Sequence, residues 1–200
     1  MAATILSERV LIVEDDPRSR RQLEKIMRKM SSEVVSTGTV AQAEVLMKDP
    51  LGFDLLIVDV ILPETEADAK KAAKFAEQRD RLVLDRMRHS DPEALLGPEN
   101  TDDLRRQYKI LEYEDEIAQH VNMRGGIELM HRYCCFLARM DVSCRLPPPC
   151  PTATLYLSAR ELPELQREAL AYVQRGRAKW LTKPETEKNI GAAVRLVLSW

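Results

Sequence analysis

Short apolar runs alternating with amphipathic segments limit the choice of fold for this chain more than any other feature. Arg9-Val-Leu-Ile-Val13 contains no polar alternation, as expected of a parallel strand covered on both faces. Asp16 then offers an N-cap and Pro17 suits a first helical position. Leu23, Ile26, Met27 and Met30 follow at helical spacing and give one apolar stripe. Val34-Val35 predicts a short second strand, and Thr39 with Gln42 resembles a capping box that opens a helix through about Met47. Phe53-Asp-Leu-Leu-Ile-Val58 predicts a third buried strand, ending at Asp59.

The alternation breaks after that strand and resumes near Gly125-Gly126. Ile127, Met130, Cys134 and Leu137 form the next helical stripe, and Ala153-Thr-Leu-Tyr-Leu157 predicts a strand. Leu165, Ala169 and Val173 mark a helix stopped by Gly176. Ala178-Lys-Trp-Leu-Thr182 predicts a fifth strand, and Ile190, Val194 and Val197 a last helix. Five strand-then-helix units predict an α/β fold, a parallel sheet with helices on both faces.

The stretch 64–122, roughly 60 residues, is far too long for an ordinary strand-to-helix connection. Ala69, Ala72, Ala76, Val83 and Met87 fall near a 3.5-residue spacing, and so do Leu104, Tyr108, Leu111 and Ala118. Ser90 and Glu93 suit a capped turn, ended by Gly97-Pro98. This predicts two helices folded back as a hairpin, inserted into a domain made of residues 1–63 and 123–200.

Apolar residues make up 44% and charged residues 31%, which suits an ordered domain. A formal net charge of −2 gives no global reason to expect nucleic acid or a membrane surface as partner. With no membrane-length apolar stretch and no signal-peptide layout, cytoplasmic residence is the default expectation. The four cysteines include no CxxC pair and are expected as reduced thiols. His131 and Cys135, four apart, would supply at most half a metal site on a helix.

The predicted strand ends deliver Glu14 and Asp15, then Asp59, Ser158 and Lys183 to one edge of the sheet, where ligands of such folds collect. Clustered carboxylates repel unless a hard cation is present, and Mg²⁺ takes a few carboxylates plus water and phosphate oxygens. A lysine would add a point charge for phosphoryl oxygens and a hydroxyl one more hydrogen bond. In this arrangement Asp59 is an in-line nucleophile towards phosphorus.

Val10-Leu-Ile-Val-Glu-Asp-Asp-Pro17, Leu55-Leu-Ile-Val-Asp-Val-Ile-Leu-Pro63, Leu155-Tyr-Leu-Ser-Ala159 and Trp180-Leu-Thr-Lys-Pro184 resemble the signature segments of response-regulator receiver domains. Met123-Arg-Gly-Gly-Ile-Glu-Leu129 is similar to the stretch that opens that family's third helix. The resemblance covers about residues 8–63 and 123–200. It implies a flavodoxin-like, doubly wound sheet of order 2-1-3-4-5, with Asp59 as phosphoacceptor. Mg²⁺ would be held by Glu14, Asp15, Asp59 and the Ile61 carbonyl, Glu14 acting largely through water. Ser158 matches the switch hydroxyl, Lys183 the invariant lysine and Trp180 the switch aromatic. Pro184 suggests a cis Lys-Pro bond. A sensor histidine kinase or phosphotransfer protein would supply the phosphoryl group, and the receiver, not an enzyme in the ordinary sense, would catalyse its own phosphorylation and dephosphorylation.

The chain ends after the last helix, so output is expected through protein contacts or self-association. Two surfaces are candidates: the insertion, or the face formed by the receiver's fourth helix, fifth strand and fifth helix. Arg160 lies where the family tunes dephosphorylation, and Pro147-Pro148-Pro149 stiffens a loop before the fourth strand. The competing reading is an unphosphorylated scaffolding or dimerisation module that works through the helical insertion. A related phosphatase is disfavoured because Ile61 occupies the natural place for a second acid.

Overall fold

The computed structural model describes residues 6–49, 52–89, 101–139, 150–159, 162–174, 176–183 and 185–199. Five parallel strands form one sheet in the order β2-β1-β3-β4-β5, with β1 Leu6–Val13, β2 Ser31–Thr37, β3 Leu55–Asp59, β4 Ala153–Ser158 and β5 Ala178–Thr182. This is the flavodoxin-like, doubly wound order. β3 and β4 are buried along their whole length, which is why they read as unbroken apolar runs.

Alternate residues of the strands feed two separate cores. Leu11, Val13, Leu56, Val58, Tyr156 and Trp180 face α2 (Val40–Met47), α5 (Gly125–Leu137) and α6 (Pro163–Ala171). Val10, Ile12, Leu55, Ile57, Leu155 and Leu181 face α1 (Pro17–Met27) and α7 (Glu187–Leu198). Asp16 caps α1, accepting from the Arg18 and Ser19 amides, with Pro17 at the first helical position.

Two local readings change. β2 is seven residues long rather than two, because Ser32 and Glu33 on this edge strand point to solvent and break the apolar pattern. At α2 only half of the capping box forms. Thr39 Oγ1 accepts from the Gln42 amide, but the Gln42 side chain turns away to Thr37 and Glu66.

Between β3 and α5 run two long antiparallel helices, α3 (Glu66–His89) and α4 (Thr101–Gln119). Their seam pairs Arg86 with Asp103 at 2.8 Å, Phe75 with Tyr113 at 6.2 Å between ring centroids, and Asp68 with His120 at 3.5 Å. The apolar line that marks α4 in the sequence is not the one that packs on α3. Leu104, Tyr108 and Leu111 are exposed, while Asp103, Gln107, Ile110, Tyr113 and Ile117 form the seam side.

The hairpin joins the sheet through a narrow neck. Leu62 and Asn122 form an antiparallel bridge with N–H···O distances of 3.1 and 2.8 Å. On the other side, the first amides of α2 donate to the neck, Val40 N–H to the Pro63 carbonyl and Ala41 N–H to that of Glu64. Arg132 on α5 adds ion pairs to Glu44 and Glu64. The expectations for Ser90, Glu93, Gly97-Pro98, Pro147–Pro149, Arg160 and the Lys183-Pro184 bond fall outside the described residues.

Candidate phosphoacceptor site

Parallel strands all end on the same edge, and that edge gathers side chains far apart in sequence. Glu14 continues β1 by one ladder bond, its amide donating to the Thr37 carbonyl at 3.0 Å. Asp15 follows it, Asp59 ends β3, Ser158 ends β4, and Lys183 comes one residue after β5. The Lys183 amide donates to the Ser158 carbonyl at 2.6 Å, so the two are locked together through the backbone.

Lys183 Nζ stands 2.5 Å from Asp59 Oδ2 and 2.6 Å from Glu14 Oε2. Carboxylate oxygens of Glu14, Asp15 and Asp59 lie within 4.8 Å of one another. The cluster is sheltered: Glu14 is 1% exposed and Asp59 6%. Neither Glu14 oxygen receives a hydrogen bond of good geometry among the described residues, although Oε2 faces the Lys183 ammonium. Ile61 is half-buried, and its amide donates to Asp59 Oδ1 at 3.2 Å.

Burial, and then the negative charge of Asp59, push the Glu14 carboxyl up to about 8 and that of Asp15 to about 6. Burial works against the Lys183 ammonium, yet Asp59 and Glu14 together hold its pKa above the ordinary lysine value. Three carboxyl groups thus share one ammonium at this edge, and the raised values of Glu14 and Asp15 reflect negative charge that Lys183 alone does not balance. Clustered hard oxygen donors of this kind suit a small divalent cation such as Mg²⁺.

All four charged residues singled out in the sequence therefore converge, and Ser158 sits fully buried at the adjoining strand end. Trp180 does not join them. Its ring lies in the core on the α5–α6 face, 6.2 Å from that of Tyr156. His131 and Cys135 approach to 3.9 Å, but the acidic trio is the sole candidate metal group among the described residues.

Sequence reading missed three supporting residues. A Cβ on Gly126 would lie 2.0 Å from the Asp59 carbonyl oxygen and 2.8 Å from Val58, so only glycine lets α5 dock against the strand end. Gly125 makes a similar close approach to Leu62. Arg20 donates from Nη1 to the Glu14 carbonyl at 2.6 Å, in the space left by Gly38. The Gly-Gly pair is a visible signal, whereas nothing local distinguishes Arg20 from its neighbours.

No family model matches the chain. Among curated proteins it is similar to the two-component response regulator ARR11 of Arabidopsis thaliana, 39% identical over 59 residues. That match takes in 29% of this chain and spans only 11% of the length of the relative. Among solved structures it resembles a CheY-like response regulator receiver domain from Methanospirillum hungatei, with a TM-score of 0.53 and 13% identity over 97% of this chain and 95% of that one. A response regulator from Chloroflexus aurantiacus matches with a TM-score of 0.50 at 17% identity over 98% of this chain and 100% of its own. The fold is thus that of the response-regulator receivers, with a helical region inserted. Among the described residues no helix is long and apolar enough to cross a membrane.

Proposed function

We propose that the chain is a receiver that accepts a phosphoryl group on Asp59 from the phosphohistidine of a sensor histidine kinase or phosphotransfer protein. The observation that carries this reading is the convergence of Lys183, Glu14 and Asp15 on Asp59 at the strand-end edge. An Asp59 carboxylate oxygen attacks phosphorus, the P–N bond to the donor imidazole breaks, and an acyl phosphate forms on Asp59. Lys183 pairs with a phosphoryl oxygen in place of its present contact with Asp59, and Ser158 donates a hydroxyl hydrogen bond. Glu14, Asp15, Asp59 and the Ile61 carbonyl would hold Mg²⁺, which neutralises charge on the phosphoryl oxygens. Attack by water on the same phosphorus breaks its bond to the Asp59 oxygen, releasing inorganic phosphate and the free carboxylate. Trp180 is the switch aromatic in this reading, and its ring is buried beside that of Tyr156.

The signal would leave by protein binding, with residues 1–63 and 123–200 as the receiver and 64–122 as the inserted hairpin, in the cytoplasm. Incubation with a small acyl phosphate and Mg²⁺, followed by mass spectrometry, should show one added phosphoryl group that is lost in Asp59→Asn. Absence of labelling in the native protein rejects this reading and favours an unphosphorylated scaffold. The exposed apolar side chains of the hairpin are the observation that supports that second reading.

A further inference from the structure

The α3–α4 hairpin is half of a bundle. Among the described residues of α3 and α4, only Ala72 and Asp103 are buried, so the seam of two helices leaves most apolar side chains partly wet. Five large apolar side chains turn away from the seam altogether: Leu84 at 54% exposure, Met87 at 72%, Leu104 at 52%, Tyr108 at 68% and Leu111 at 55%. They are spaced by three and four residues, as side chains are along a helix-packing stripe.

These five share one face. At about 100° of rotation per residue, each stripe sits about 130° from its own helix's seam, in the same sense of winding. Because α3 and α4 run antiparallel, equal rotation in the same sense brings both stripes to the same side of the hairpin. The seam pairing places all five in the half of the hairpin far from the sheet.

From this we infer that the distal apolar face of the hairpin is a homodimer interface, on which a second copy of the chain packs to complete a four-helix bundle. A copy supplies what the face lacks, two more antiparallel helices carrying the same stripe, and a two-fold contact is self-complementary by construction. The area is sufficient. The five side chains offer on the order of 500–600 Å² per copy, so a pair hides about 1,100 Å², above the roughly 1,000 Å² that a specific interface needs. The rim is balanced in charge, with Glu77 and Arg81 exposed on α3 and Arg105 and Glu112 on α4. Such a rim can meet its own copy, and it does not single out a polyanion or an anionic membrane as partner.

The inference is independent of the phosphoacceptor reading, because association is read in the unphosphorylated chain. Sedimentation of the full chain between about 1 and 200 μM should give twice the monomer mass. Tyr108→Glu with Met87→Lys should shift it to the monomer mass at the same concentrations, with helical circular dichroism and Asp59 labelling as in the native protein. Leu111→Ser alone should weaken association at least ten-fold. A native chain that is monomeric throughout, or variants that associate as tightly as the native chain, overturns the proposal.

Discussion

Lys183 holds two buried carboxylates at once, and that makes it the most consequential single side chain at the site. Lys183→Met leaves Glu14 and Asp59 facing each other without a counter-charge. In the absence of divalent ions this should cost on the order of 3 kcal/mol by denaturant unfolding, at the low end for a broken buried pair because a fifth of the lysine remains exposed. Labelling of Asp59 should slow by about 10²-fold, the usual loss on removing one preorganised group that stabilises transferring charge. Gly126→Ala and Gly38→Ala form a second test at this scale. The first forces a methyl into the Asp59 carbonyl and should cost about 3 kcal/mol or more, with labelling lost. The second meets only the far end of Arg20 and should cost about 1 kcal/mol, that of a single hydrogen bond.

At the scale of elements, the hairpin is held by the seam and the neck. Arg86 and then Gln107 keep the Asp103 carboxyl below the ordinary carboxylate range, against the opposing effect of burial. A depressed carboxyl contributes stability that is complete above its unfolded value and is lost as pH falls through the folded one. Amide protection factors in α3 and α4, corrected for the slower intrinsic exchange at low pH, should therefore fall on acidification before those of the sheet. In Arg86→Leu the Asp103 titration followed by NMR should move up towards the ordinary range. Removing residues 65–121 and joining the ends by a short turn should leave the sheet folded and Asp59 still labelled, since Leu62 and Asn122 already lie side by side.

How much of this was legible in the sequence follows the same physics. β3 and β4 announce themselves because both of their faces are buried, and the strand-end acids and Lys183 follow from where those runs stop. β2 is read too short because it is an edge strand with Ser32 and Glu33 facing water. Helical spacing revealed α4 but not its orientation, since a stripe that packs on α3 and one that faces outward look alike in one chain. Arg20 escaped notice because its bond to the Glu14 carbonyl depends on the room left by Gly38, on another element.

For the molecule as a whole, a cation bound at the acidic site would act on stability by mass action. At a Mg²⁺ concentration 100 times its dissociation constant, binding to the folded state alone adds about 2.7 kcal/mol. For a chain of this size that raises the melting temperature by roughly 5–10 °C, and chelation should reverse it. Asp15→Ala should abolish the shift. A melting curve indifferent to Mg²⁺ would show that the acidic trio holds no ion.

The neck has a mechanical consequence. Pro63 and Glu64, gripped by the α2 amides, begin only four residues beyond Asp59, while α3 extends 24 residues from there. At 1.5 Å per residue that helix is an arm about 36 Å long, so a pivot of about 5° at its base sweeps the far end through about 3 Å. A displacement at the carboxylate too small to notice locally becomes, at the end of that arm, one that a distance probe can follow.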